Sequence, residues 1–271
     1  MKLTVLVDNH TYIDRYYLGE PAVSYLIEDG ARVILLDVGY SDVYIENAAR
    51  MGIDLNRVTD IVLSHGHNDH TGGLSAFFAR FPQRVRLFAH PNALLSKRAE
   101  GLPIGCPLSL EELREHADVR LVTKPFAVSE HVTILGEIPR IYAFEADRAV
   151  GEMQSACGCC WETDELADDT SLALTLPEGV FVVTGCAHAG VCNTVAYAKQ
   201  VAGKERVSGV LGGFHLFEEG EALTQTIRTL SALDVERVYP AHCTSLAVKS
   251  RLFAALETTE VGVGMTLEWQ D

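Results

Sequence analysis

One segment constrains this chain more than any other: Ser64-His65-Gly66-His67-Asn68-Asp69-His70-Thr71-Gly72-Gly73-Leu74. It gathers three of the ten histidines and an aspartate within six residues. The apolar run Asp60-Ile61-Val62-Leu63 before it reads as a buried strand. Leu74, Phe77, Phe78 and Phe81 after it recur at helical spacing. The motif therefore sits on a tight loop between a strand end and a helix start. His65 and His67, two residues apart, can point the same way, and Asp69 and His70 can turn back from the helix start toward them. Neutral imidazoles and a carboxylate converging in this way make a site for zinc or a similar divalent metal.

The rest of the chain alternates strand and helix patterns. Strands are expected at Leu3–Val7, Val23–Glu28, Val33–Asp37, Ile61–Ser64, Val85–Ala89, Arg120–Val122, Val132–Leu135, Ser171–Leu176, Val180–Thr184, Val207–Leu211 and Arg237–Tyr239. Helices are expected at Asp42–Met51, Thr71–Phe81, Val191–Val201, Glu221–Leu233 and Ser245–Thr258. No low-complexity linker divides the chain, so residues 1–271 read as a single domain. The stretch near 91–117, broken by Pro91, Pro103 and Pro107, reads as an irregular insertion.

A weak internal repeat runs through this pattern. Val33–Asp37, a helix and Ile61–His65 match Val180–Cys186, a helix and Gly209–His215. From Asp37 to His65 is 28 positions, and from Cys186 to His215 is 29. Pseudo-two-fold packing of two such halves would set Cys186, His188 and His215 opposite the His65 loop.

His-x-His-x-Asp-His followed by Gly-Gly resembles the hallmark of the metallo-β-lactamase superfamily. The supporting motifs run from Asp37 to His242. The resemblance implies an α/β fold, a four-layer αββα sandwich, with metals at one edge of the two sheets. It implies His65 and His67 as ligands of a first metal and Asp69 and His70 as ligands of a second. His242, in Tyr239-Pro240-Ala241-His242-Cys243, supplies the late histidine that completes the second set. Asp37 corresponds to an aspartate that holds the histidine loop, the role of a carboxylate that fixes an imidazole's tautomer. Zinc is the favoured ion, one or two per chain, with iron and manganese left open.

Two departures from the family pattern stand out. Many members read Thr-Gly-Asp where this chain has Thr184-Gly185-Cys186. Cys186 is read either as a thiolate ligand or as a small buried residue. The family's third histidine is missing before Ser171, where Asp168-Asp169-Thr170 stands instead. His188 is the substitute, on the same side as Cys186 if the chain stays extended. Asp168 or Asp169 is otherwise a ligand or holds one. His215, after Gly212-Gly213-Phe214, is expected to donate a proton or to hydrogen-bond an oxyanion, with the glycines leaving room for substrate or a metal loop.

The motifs Gly136–Arg140, Thr-Gly-Cys-Ala-His, Gly-Gly-Phe-His-Leu and Pro-Ala-His-Cys-Thr resemble one branch of the superfamily. That branch holds dihydropterin ribofuranosylaminobenzene phosphate synthase-like proteins. Three functions follow from these readings. The first is a hydrolase in which metal-activated water attacks an ester, amide or phosphoester, with Asp69 orienting the nucleophile and His215 assisting. The second is a pterin-type synthase using the metals as Lewis acids, with Arg140 holding an anionic substrate group. The third is a metal- or redox-sensing module, suggested by seven cysteines; Cys157-Gly158-Cys159-Cys160 is read either as a reactive or metal-binding cluster or as a loop of partly buried thiols.

The expected partner is a small-molecule substrate, with neither nucleic acid nor membrane. A net charge of −15 with no Lys/Arg cluster argues against nucleic acid. No apolar run reaches the ~20 residues of a membrane span. Met1–Asp8 reads as a strand and not a leader. An odd cysteine count fits a reducing cytoplasm better than a disulfide framework.

Overall fold

The computed structural model describes residues 1–145 and 149–270. Along the chain, β1 is Lys2–Val7, β2 Ser24–Asp29 and β3 Arg32–Leu36. They are followed by α1 Val43–Arg50, β4 Asp60–Val62, α2 Asn68–Thr71 and α3 Leu74–Arg80. Next come β5 Arg86–Ala89, β6 Lys97–Ala99, β7 Leu102–Pro103, α4 Leu110–His116 and β8 Asp118–Leu121. Then β9 Phe126–Ala127, β10 Val132–Ile134, β11 Glu152–Gln154 and β12 Trp161–Thr163. The last run is β13 Ser171–Leu176, β14 Gly179–Thr184, α5 Val191–Ala202, β15 Val207–Gly213, α6 Glu221–Ala232, β16 Val238–Ala241, α7 Leu246–Ala255 and β17 Thr266–Glu268.

These elements form two compact units. The first unit holds Met1–Thr123, Ala149–Asp168 and Gly262–Gln270. Its main sheet has the order β17-β1-β2-β3-β4-β5-β8, and β12-β11-β6-β7 form a smaller sheet. In the main sheet β3, β4, β5 and β8 run parallel. Their side chains are buried on both faces at the centre, where Val33, Ile34, Leu35 and Leu36 are all at most 4 % exposed. A continuous apolar run is what a doubly covered parallel strand requires. Tyr44, Ile45 and Ala48 of α1, Leu74 and Phe77 of α3, and Leu113 of α4 pack with Leu26, Leu35, Ile61 and Leu87 in one core. Each such large side chain, fully buried, contributes about 1.5–3 kcal/mol.

The second unit holds Asp169–Val261 and the described part of Lys124–Arg148. Its sheet has the order β16-β15-β14-β13-β10-β9. Val191 and Val195 of α5, Leu223 and Leu230 of α6, and Val248 and Leu252 of α7 share a core with Val182, Val210 and Val238.

The repeated pattern is visible within each unit. β3, α1 and parallel β4 make one strand–helix–strand step, and β14, α5 and parallel β15 make the other. The predicted helix 71–81 is two pieces, because Gly72 and Gly73 separate α2 from α3. A Cβ at Gly73 would collide with the carbonyls of Val38 and Ser41, so this close approach demands glycine. The stretch 91–117 contains α4, closed by a full capping box between Ser109 and Glu112.

Candidate metal centre

In the first unit, β4 delivers its chain end into the histidine loop. Asp37, one residue past β3, organises that loop. One carboxylate oxygen accepts the Ser64 N–H at 2.7 Å; the other accepts the Ser64 hydroxyl at 2.7 Å and lies 2.7 Å from His70 Nδ1. Asp37 is fully buried and adopts φ +59°, a conformation uncommon outside glycine. The His70–Asp37 contact places the imidazole proton on Nδ1 and turns Nε2 toward Asp69, whose Oδ2 is 3.5 Å away. His65 Nε2 and His67 Nδ1 lie 3.0 Å apart, and the rings of His65 and His70 are 4.1 Å apart. The first unit thus brings His65, His67, Asp69 and His70 into one cluster.

Two ties fix the cluster from below. His67 begins α2, its carbonyl accepting the N–H groups of His70 and Thr71. The Gly66 N–H donates to Asp168 Oδ2 at 2.8 Å. The other Asp168 oxygen accepts from Lys97 Nζ at 2.9 Å, and Lys97 also binds Asp164 at 2.6 Å. All three side chains are buried. Asp168 is thereby tied to the backbone of the histidine loop. Lys97 and Asp164 carry no sequence signal, since they meet across 67 residues.

Burial pushes the His67 imidazole down to about 4, reinforced by the Lys97 cation. Burial works the same way on His70, but the Asp69 and Asp37 carboxylates outweigh it and raise that imidazole well above its usual value. A cavity of about 400 Å³ opens beside the loop, lined by Tyr40, Asn68, Ser96, Pro103, Cys106 and Pro107.

The second unit gathers a different set at the ends of its parallel strands. Donor atoms of Cys186, His215 and Cys243 lie within 4.8 Å of one another, as do those of Cys186 and His242. The His188 and His215 rings are 4.2 Å apart. Ala187, His215 and His242 all have positive φ. Such strained backbone clusters at functional sites.

The extended path from Cys186 to His188 is not what the chain adopts. Ala187 at φ +53° starts a turn, closed by the Gly190 N–H on the Ala187 carbonyl. The Ala189 N–H donates to Asp169 at 2.9 Å, so Asp169 holds the His188 turn. Glu145, fully buried, accepts the N–H groups of Cys192 and Asn193 in the first turn of α5, where the helix dipole favours a carboxylate.

Of the two neighbours expected at Gly212 and Gly213, the structure places protein there and not substrate. A Cβ at Gly212 would strike the Thr184 carbonyl, and one at Gly213 the sulfur of Cys243, next to His242 in the chain. His215 Nδ1 is buried without a hydrogen-bond partner among the described residues, and its ring meets the exposed Phe217 edge-on at 4.8 Å. Cys243 was missed in the sequence. Burial raises its thiol, but hydrogen bonds to Cys186 and His215 and the nearby His242 prevail and hold it well below its usual value. Arg140 lies half-buried in the second unit, one residue before Ile141, whose N–H donates to Asn193.

The first unit's donor set fits a divalent ion of borderline softness. It offers three imidazoles, one already oriented by a buried carboxylate, as metal-bound histidines are. Comparison with known proteins agrees with this chemistry. The chain belongs to the metallo-β-lactamase superfamily: the family profile of that description matches residues 18–138. A crystal structure of a metal-dependent hydrolase of the β-lactamase superfamily superposes with a TM-score of 0.85 at 26% identity, covering all of both chains. The chain therefore has the metallo-β-lactamase fold.

Two relatives come from Methanocaldococcus jannaschii. An uncharacterised protein is 30% identical over 251 residues, 92% of this chain and 93% of its own length. The 7,8-dihydropterin-6-methyl-4-(β-D-ribofuranosyl)-aminobenzene-5'-phosphate synthase is 26% identical over 264 residues, 92% of this chain and 90% of its own. Among the described residues no helix is long and apolar enough to cross a membrane.

Proposed function

We propose that this protein is a zinc-dependent hydrolase acting on a small-molecule ester, amide or phosphoester. The carrying observation is the buried His70–Asp37 pair beside Asp69, His65 and His67, a histidine cluster already oriented by a buried carboxylate. His65, His67, Asp69, His70, His188 and His242 are the proposed ligands, with Cys186 as a further thiolate ligand or a buried support. Bound metal would supply Lewis-acid polarisation and hydroxide at neutral pH. The chain's own residues do the remaining work. Asp37 and Asp168 hold the loop rigid, and Asp69 orients the attacking oxygen. His215 carries a proton to the leaving group from Nδ1, an atom that no other group on the described protein engages. The cavity beside Tyr40 and Asn68 takes the substrate's bulk.

The synthase-named relative supports a second reading, in which the same residues join an aryl ribosyl phosphate to a pterin and Arg140 binds an anionic group. One experiment separates the two. Purified protein is given a pterin diphosphate with and without the aryl partner, alongside chromogenic esters and phosphodiesters. Hydrolysis without the aryl partner, lost on chelation, supports the hydrolase. Turnover only when both pterin and aryl substrates are present overturns it in favour of the synthase.

A further inference from the structure

The histidine cluster leaves one chemical feature of the first unit unused: the β11–β12 hairpin. Three of the seven cysteines sit in its loop, at 157, 159 and 160, and all three are exposed. Cys157 and Cys159 form a disulfide. Cys160 is a free thiol whose sulfur lies 3.8 Å from that of Cys159. Ser155 Oγ is within 3.3, 3.7 and 3.3 Å of the sulfurs of Cys157, Cys159 and Cys160. The remaining cysteines, at 106, 186, 192 and 243, are buried or half-buried.

The loop is built and not slack. The Ser155 N–H donates to the Cys160 carbonyl at 2.9 Å, and the Gly158 N–H to the Ser155 carbonyl at 2.7 Å. Gln154 Nε2 holds the Gly158 carbonyl at 3.0 Å. On the flanking strands, Arg98 lies 4.0 Å over the Trp161 ring and pairs with Glu152. These contacts keep three sulfurs on one hydroxyl.

A disulfide joining residues two apart closes so small a loop that it removes little entropy from the unfolded chain. Stability is therefore a poor reason for this bond, whereas exposure and an adjacent thiol are what exchange chemistry needs. We propose that the hairpin is a thiol–disulfide exchange site for small thiols and dithiols, with Cys160 as its resolving thiol. A thiolate of the incoming thiol attacks Cys159 Sγ. The Cys157–Cys159 bond breaks, Cys157 leaves as a thiolate and takes a proton, and a mixed disulfide forms on Cys159. The Cys160 thiolate then attacks Cys159 Sγ and expels the incoming thiol unchanged, leaving a Cys159–Cys160 disulfide and a Cys157 thiol. An incoming dithiol instead resolves the mixed disulfide itself. It is oxidised to its disulfide while Cys157 and Cys159 are reduced, a two-electron exchange.

Glutathione is the probe. The full-length protein is incubated with about 0.1 mM glutathione, quenched with acid, alkylated and cleaved after glutamate. The peptide 153–162 then carries these three cysteines and no other. A tethered thiol acts at an effective concentration in the mM range, so resolution should outcompete external thiol about tenfold. Cys160→Ser leaves Cys157 alone to expel glutathione and should therefore accumulate more of it on this peptide than the unsubstituted protein, in which dithiothreitol should convert one alkylation label into three. Equal glutathione on both proteins overturns the proposal. So does a peptide whose three cysteines resist alkylation until a chelator is added, because that marks a thiolate metal site.

Discussion

Replacing Lys97 by methionine tests how the ligand loop is held. The ammonium lies between Asp164 at 2.6 Å and Asp168 at 2.9 Å, and none of the three side chains is more than 1 % exposed. Methionine keeps the length and removes the charge, leaving two buried carboxylates facing an apolar chain. Breaking a buried pair from one side costs about 3–5 kcal/mol, because the remaining charge stays desolvated. Urea unfolding of the metal-free protein reads that loss. Adding Asp164→Leu removes one orphaned carboxylate and should recover a large part of it. Asp168 also accepts the Gly66 N–H. Disturbing it should weaken metal binding about 10- to 100-fold, as loss of an outer-shell partner does. A Lys97→Met cost below about 1 kcal/mol, the range of an exposed ion pair, with metal affinity unchanged, would show that the Lys97 bridge does not hold the loop.

Four further outcomes rest on the same geometry. His215→Ala should keep its metal by elemental analysis yet lose roughly 10²- to 10⁴-fold in kcat on any substrate found; stoichiometric loss of metal would contradict the role given to it. In the metal-free protein His70 is held protonated by Asp69 and Asp37 against burial, and His67, at about 4, is neutral near pH 7. Metal binding near pH 7 should therefore release about one proton from His70, read as a buffer-dependent calorimetric enthalpy. The stability His70 gives the metal-free fold is complete below its unfolded value of about 6.5 and lost as pH rises through its raised folded value. Glu145→Ala should cost about 1–2 kcal/mol in urea unfolding by leaving the Cys192 and Asn193 N–H groups without their carboxylate.

The parts of this protein that follow from local pattern were legible in its sequence. Alternation and helical spacing located β1, β13, β14, α1, α5 and α6 to within a residue or two. The histidine spacing in 65–70 announced the cluster that Asp37 orients. What escaped depends on long-range contact. Lys97 looks like any surface lysine until Asp164 and Asp168 reach it from more than sixty residues away. Glu145 reads as a loop acid until α5 presents its N–H groups. Short strands such as β7, Leu102–Pro103, carry too few residues for any period to show. α4 is a different case. Its Ser109-x-x-Glu112 box was a readable start signal, obscured by the prolines before it. The odd cysteine count pointed away from disulfides, yet one joins Cys157 to Cys159. A counting argument about frameworks says nothing of a bond two residues long.

Metal content decides whether the His65–His70 loop holds a divalent ion. The unsubstituted protein and a His65→Ala/His67→Ala variant are purified side by side without added metal. Circular dichroism establishes that both are folded, and elemental analysis counts zinc, iron and manganese per chain. About one to two divalent ions are expected in the first, and loss of at least one in the folded variant. Full metal occupancy in a folded variant lacking both imidazoles would contradict it.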